Sequence, residues 1–247
     1  MYMKKILIFT GVGASKESGI ETFRDVEDGL WNNYKIEDVA TPDGWRKNRQ
    51  IVLDFYNQRR AQLNMVEPNL AHKLIASLEK DYDVQIVTQN VDNLHERAGS
   101  TNIIHLHGEL TKSRSTFPGS TETYDCPDDI NLGDKCPRGS QLRPHIVWFG
   151  ESLDGGNLYK AEKAAIECDI CIIVGTSMQV YPANQIPSLV RDNCPIYYID
   201  PGESFSVHKY HNGDSIWSES FSNINYKHIK EIASVGMQKV IDIIKSI

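Results

Sequence analysis

Short apolar runs recur along the chain at KKILIFTG (Lys4 to Gly11), DVQIVTQN (Asp83 to Asn90), NIIHLHG (Asn102 to Gly108), HIVWFG (His145 to Gly150), DICIIVGTS (Asp169 to Ser177) and PIYYID (Pro195 to Asp200). Several are apolar without alternation, as expected of parallel strands covered on both faces. Between them, Arg49 to Leu63, Asn69 to Lys80, Asn157 to Cys168 and His228 to Ile247 carry apolar residues at i, i+3, i+4 spacing and predict helices. The alternation predicts an α/β fold with a doubly wound parallel sheet. Two stretches break the pattern: Asp25 to Met65 is helical or irregular, and Lys112 to Leu142 is polar and rich in Gly, Pro, Ser and Asp. A structureless loop of that length is improbable inside a compact domain, so both are read as a small inserted module. The large part is then approximately 1–24, 66–111 and 143–247, and the module approximately 25–65 and 112–142.

The chemistry-bearing residues cluster at the ends of these runs. TQNVDNLHERAG (Thr88 to Gly99) and HLHGEL (His105 to Leu110) each follow an apolar strand, where an open α/β sheet places its ligand. They narrow the search for a general base to His95, His105 and His107, beside an Asn/Asp/Gln cluster. Strand geometry puts His105 and His107 on one face and does not rank them. The first strand runs into TGVGASKESGIETFR (Thr10 to Arg24), where Gly11 and Gly13 allow a tight turn and Ser15 and Ser18 offer hydroxyls near a helix start, a setting that favours phosphate. The third glycine of the dinucleotide fingerprint is replaced by Lys16, and the Gly-Lys-Ser/Thr ending of a P-loop is missing. The loop alone fits a nucleotide site and a plain strand-to-helix turn equally.

Composition narrows the partners. The 247 residues carry a formal net charge of -7 with 40% apolar residues, ordinary for a globular protein and opposed to binding a nucleic-acid backbone. The apolar run in MYMKKILIF is about five residues, below the seven or more of a signal-peptide core, and no run approaches the roughly 20 residues of a membrane span. A cytoplasmic location without membrane partners is the expectation. Of the five cysteines, Cys168 and Cys171 form a C-x-x-C pair, but Cys171 lies within ICIIVG and is expected in the core.

Taken in order, the glycine loop, TQNVDNLHERAG, HLHGEL, RPHIVWFGE and VGTSMQVYP resemble the sirtuins, the NAD-dependent protein-lysine deacylases, over Lys4 to about Ile244. DGLW (Asp28 to Trp31), ATPDGW (Ala40 to Trp45) and FYNQRR (Phe55 to Arg60) are most similar to the bacterial and mitochondrial branch that removes acidic acyl groups. The resemblance implies a Rossmann-like large domain and a reaction that consumes NAD, releasing nicotinamide, free lysine and O-acyl-ADP-ribose. It implies His107 as general base, since the acyl oxygen attacks the ribose carbon and a ribose hydroxyl must then be deprotonated. His95 is read as structural. Gln89, Asn90 and Asp92 match the ribose and nicotinamide contacts, with helix capping an alternative role. Gly11, Val12, Gly13, Ala14 and Ser15 match the phosphate loop; Thr22, Phe23 and Arg24 match the cofactor loop. Gly175, Thr176 and Ser177 match the turn that takes the adenosine half, and Asp200 stands at the adenine-ribose contact.

Tyr56 and Arg59 sit three apart on a predicted helix and so share a face, where a planar guanidinium and a phenol suit a carboxylate. In the resembling branch this pair recognises succinyl- or malonyl-lysine. The acyl-lysine protein or peptide is expected between Val147, Phe149, Gly150 and Glu151 on one side and Val180 and Tyr181 on the other, paired by β-augmentation with strand-like ends. Two departures stand out. Most sirtuins hold zinc through two C-x-x-C pairs, but here Ser115 and Pro118 stand in the first place and only Cys136 remains in the second. With Cys126 that makes two thiols, too few for a closed tetrahedral site, so no zinc is expected. Val12 replaces the usual Ala. NAD hydrolysis, ADP-ribosyl transfer, or a weak NAD-binding module are the competing readings.

Overall fold

The computed structural model describes residues 3–20, 34–202 and 226–246. Six strands, β1 (Lys5–Thr10), β2 (Asp83–Thr88), β3 (Ile103–His105), β7 (Ile170–Val174), β8 (Ile196–Ile199) and β9 (Tyr226–Ile229), form one sheet in the order β3-β2-β1-β7-β8-β9. Every pairing in it is parallel. Strand order runs outward in both directions from the β1/β7 pair, which makes the gap beyond their C-terminal ends the topological switch point. The fold is Rossmann-like.

Alternation along each strand divides the core. Ile6, Ile8, Val84, Ile86 and Ile172 face α4 (Leu70–Leu78) and α7 (Ala233–Lys245). Leu7, Phe9, Val87, Cys171 and Ile173 face α6 (Gly155–Glu167) on the opposite side. Burying each such side chain contributes about 1.5–3 kcal/mol, enough to explain why these runs are apolar at every position. Asn48, Asn69 and Asp154 cap α3 (Arg49–Met65), α4 and α6 by accepting backbone N–H bonds with their side chains. Such caps satisfy donors that the helix itself leaves open.

The polar stretch after HLHGEL folds into a second sheet, order β5-β4-β6, from β4 (Gly108–Ser115), β5 (Thr123–Asp125) and β6 (Leu142–Ile146). It packs on α3 through Leu53, Phe55, Tyr56, Leu110, Ile146 and Trp148.

Three expectations are corrected. NIIHLHG is not one strand: β3 ends at His105, and Gly108 opens β4 with φ +84°. HIVWFG does not join the parallel sheet; its strand is Leu142–Ile146, antiparallel to β4, and Phe149 N–H instead donates to Ala40 O at 3.0 Å. The C-terminal helix starts at Ala233, because Tyr226–Ile229 is the edge strand β9. An edge strand needs no continuous apolar run, so periodicity passed over it.

Candidate active site

At the switch point, the glycine loop after β1 and the turn after β7 lie against each other. A Cβ on Gly13 would stand 2.7 Å from Gly175 Cα, and one on Gly175 would stand 2.3 Å from Ala14 N. Gly13 N–H donates to Gly175 O at 2.8 Å, and Gly11 N–H to Val174 O at 3.0 Å. Part of the glycine requirement is therefore loop-to-loop packing. Gln89 ties the third strand end to this pair, its Nε2–H donating to Thr176 Oγ1 at 3.0 Å.

Beneath the loop is a buried polar network. Ser15 Oγ donates to Asp92 Oδ2 at 2.9 Å and accepts from Asn90 Nδ2 at 3.1 Å. Asp92 Oδ1 accepts from Leu94 N–H at 3.1 Å, at the first residue of α5 (Leu94–Arg97), whose N-cap residue Asn93 makes no side-chain cap. Burial raises its pKa, opposed by those hydrogen bonds. His95, on α5, is buried against Thr10 Oγ1 at 3.2 Å, and burial, then His72 and His105, hold its pKa well below the ordinary imidazole range.

His105 and His107 part ways once the chain bends after β3. Both His105 nitrogens meet acceptors, Nδ1 with Asn90 O at 3.1 Å and Nε2 with Glu96 Oε1 at 2.7 Å, so both must carry protons. Burial lowers its pKa, yet Glu96 outweighs that and the net shift is upward. A charged imidazolium with both protons engaged is no base. His107 Nδ1–H donates to Gln89 O at 3.0 Å, which fixes the tautomer and leaves Nε2 with a free lone pair. Burial lowers its pKa, partly offset by that bond. Gly108 enforces the bend, since a Cβ there would lie 2.0 Å from His145 O.

His107 lines a cleft of about 220 Å³ between the two sheets, shared with Val12, Gln89, Asn90 and Asp92. Tyr56 and Arg59 of α3 line the same cleft, as do Val147, Phe149, Gly150 and Glu151 and, opposite, Val180 and Tyr181. Neither of the last two segments is a strand, which corrects the expected geometry. Val147 and Phe149 direct their N–H groups inward, to His107 O and Ala40 O. The Glu151 carboxylate is held by Arg143 in a two-pronged pair at 2.8 and 2.7 Å.

Gly11, Gly13, Ala14, Ser15, Gly175, Thr176 and Ser177 lie at the strand ends rather than on the cleft wall, and Asp200, at the end of β8, accepts from Gly202 N–H at 2.8 Å. Thr22, Phe23 and Arg24 fall outside the described residues. Trp148 escaped sequence reasoning although it sits inside HIVWFG; it is 2% exposed and lines the cleft through its contact with Tyr56. The five cysteines are free and buried. Cys136 Sγ accepts from Ser115 Oγ at 3.1 Å, and Cys168 lies 3.7 Å from Cys194 rather than paired with Cys171.

A profile described as Sir2 family matches residues 11–182. The chain belongs to the Sir2 family. A protein named NAD-dependent protein deacylase from Helicobacter pylori is 54% identical over 199 residues, covering 81% of this chain and 85% of the relative. One of the same name from Aggregatibacter actinomycetemcomitans is 51% identical over 200 residues, covering 81% and 94%. Among solved structures, a Sir2 homologue in complex with ADP-ribose superposes with TM-score 0.83 at 34% identity, covering 99% of this Sir2 chain and 93% of the other. A Sir2 homologue in complex with NAD gives 0.82 at 34% identity, covering 99% and 90%.

Proposed function

We infer that this Sir2-family chain is an NAD-dependent protein-lysine deacylase, and that it prefers acyl groups ending in a carboxylate. The carrying observation is His107, a neutral imidazole with its Nε2 lone pair open to the cleft that also holds Gln89, Asn90 and Asp92. NAD supplies a nicotinamide bond whose cleavage drives acyl transfer to the ribose. The donor set fits such a co-substrate: amides, a hydroxyl and a carboxylate gathered at strand ends beside the switch point, where an α/β sheet binds dinucleotides.

Within this reading, Gly11 to Ser15 lie along the phosphates, and Gly175, Thr176, Ser177 and Asp200 on the adenosine side. Gln89, Asn90 and Asp92 orient the ribose and carboxamide. His107 Nε2 takes the proton of a ribose hydroxyl, a transfer suited to a base whose pKa lies below neutral pH. The peptide lies between Phe149, 50% exposed, and Tyr181, 65% exposed, whose apolar faces flank the cleft mouth. Backbone pairing on the Val147 side would use carbonyl oxygens, since the N–H groups of Val147 and Phe149 are engaged.

Support for an acidic acyl group is Tyr56 and Arg59 on one face of α3, both buried and both at the cleft. Mass spectrometry of products from NAD with acetyl-, succinyl- and malonyl-lysine peptides tests the whole reading. Acyl-ADP-ribose is expected, formed fastest from the acidic acyl groups. Free ADP-ribose alone would indicate a hydrolase, and no turnover a binding module. An Arg59→Met variant whose preference between succinyl and acetyl equals that of the wild type would overturn the acidic assignment.

A further inference from the structure

The acidic-acyl reading rests on Tyr56 and Arg59, and a third side chain determines what Tyr56 can do. The Trp148 indole Nε1–H donates to the Tyr56 hydroxyl oxygen at 3.1 Å, and both rings are buried. An indole nitrogen is a donor only, so Tyr56 receives this bond on a lone pair and its own proton must go elsewhere. Arg59, one turn further along α3, is also a donor only and offers that proton no acceptor. The Glu151 carboxylate is engaged instead by Arg143 at 2.8 and 2.7 Å and by Trp148 N–H at 3.0 Å, and it takes no hydrogen bond from Tyr56. What is left for the phenol is to donate into the cleft it lines.

The ring is itself fixed. The Arg143 guanidinium carbon stands 3.6 Å from the centroid of the Trp148 ring, and Arg143 is locked by its two-pronged pair with Glu151. A cation over the π face attracts the ring and withdraws electron density, strengthening the indole N–H as a donor. Burial pushes the Tyr56 pKa up to about 12, against the Trp148 bond and Arg59, so the phenol keeps its proton at neutral pH.

We propose that Trp148 is a positioning residue for acyl selectivity: by occupying the acceptor side of the Tyr56 hydroxyl, it makes that hydroxyl an obligate donor to the terminal carboxylate of the acyl chain. The relay runs Glu151, Arg143, Trp148, Tyr56. An acetyl group ends in a methyl and gains nothing from it. The proposal thus rests on the acidic-acyl reading and adds a residue and a cause to it.

The test is the ratio of kcat/KM for succinyl-lysine over acetyl-lysine on one peptide, for the wild type, Trp148→Phe, Tyr56→Phe, the double variant and Arg59→Met. Loss of one hydrogen bond's orienting effect should lower the ratio roughly two- to ten-fold in Trp148→Phe. In the Tyr56→Phe background the same change should have no further effect, because neighbours acting through one group are not additive. A ratio unmoved by Trp148→Phe but lowered by Tyr56→Phe would overturn the proposal and leave the carboxylate subsite standing. Equal losses on both substrates, or a drop that persists without the Tyr56 hydroxyl, would overturn it too. If neither Tyr56→Phe nor Arg59→Met moves the ratio, the acidic-acyl reading itself falls. Should Trp148→Phe fail to fold, benzothienylalanine at position 148 keeps the ring's shape and replaces N–H by sulfur, and the same ratios decide.

Discussion

Two histidines separated by one residue end up with opposite chemistry, and the difference lies in what each nitrogen meets. His105 faces two acceptors and is held charged; His107 faces one and keeps a lone pair. His107→Ala should lower kcat for deacylation roughly 10²–10⁴-fold, the usual contribution of a general base, as read in steady-state assays. The pH dependence has a definite sign. A base works when neutral, and burial lowers the His107 pKa from the ordinary 6.5, so the acid limb of kcat/KM should fall below pH 6.5. A limb at or above that value would contradict the assignment. Gly108→Ala tests the bend between the two: φ of +84° and a Cβ 2.0 Å from His145 O leave no room for a methyl group. It should lower the melting temperature and reduce activity with His107 itself intact. Sequence alone offered three candidate histidines, and only the hydrogen-bond partners, brought from Gln89, Asn90 and Glu96, separate them without appeal to the family.

Among elements, those with a strong local pattern were legible and those shaped by partners were not. Helix α3 was expected over Arg49 to Leu63 and runs Arg49–Met65, because its apolar spacing and Asn48 cap are local properties. Strand β6 was misread because Ile146, Val147 and Trp148 look like a buried parallel strand, whereas Ile146 and Trp148 are buried in the cluster around α3 and not in the large sheet. The small sheet itself, lacking periodicity, became visible only through the β4/β6 pairing. Asn69 joins two elements: its Oδ1 caps α4 by accepting from Ala71 N–H at 2.9 Å, and its Nδ2–H donates to Ala14 O at 2.8 Å in the glycine loop. Asn69→Ala should therefore cost about 0.5–2 kcal/mol in urea unfolding, and also raise KM for NAD, which a cap remote from the loop would not do. At the outer end of the small sheet, Ser115 and Cys136 share a hydrogen bond at the place of the family's metal ligands. Elemental analysis of purified protein is expected to find well under one zinc per chain, and a full equivalent would refute it.

For the molecule as a whole, among the described residues no helix is long and apolar enough to cross a membrane. Stability against pH follows from the imidazoles buried neutral beneath the glycine loop. Burial lowers His72 from 6.5 to about 4, so between those values the unfolded chain takes up a proton that the folded one refuses. Their contribution is thus complete above pH 6.5 and declines as pH falls toward 4, His95 acting in the same direction. The melting temperature should drop across that window, and His72→Gln should flatten the drop; an unchanged slope would show that these groups are not the cause. The sequence by itself determined the doubly wound α/β class, the strand ends that carry chemistry, the family and its candidate residues, because hydrophobic period and contiguous motifs are properties of short stretches of chain. Only the tertiary structure decided which histidine keeps a lone pair, that Asp92 accepts from Ser15, and that Trp148 donates to the Tyr56 hydroxyl. Each of these depends on hydrogen-bond partners 9 to 92 residues away in the chain, and such partners exist only after the sheet has closed around its switch point.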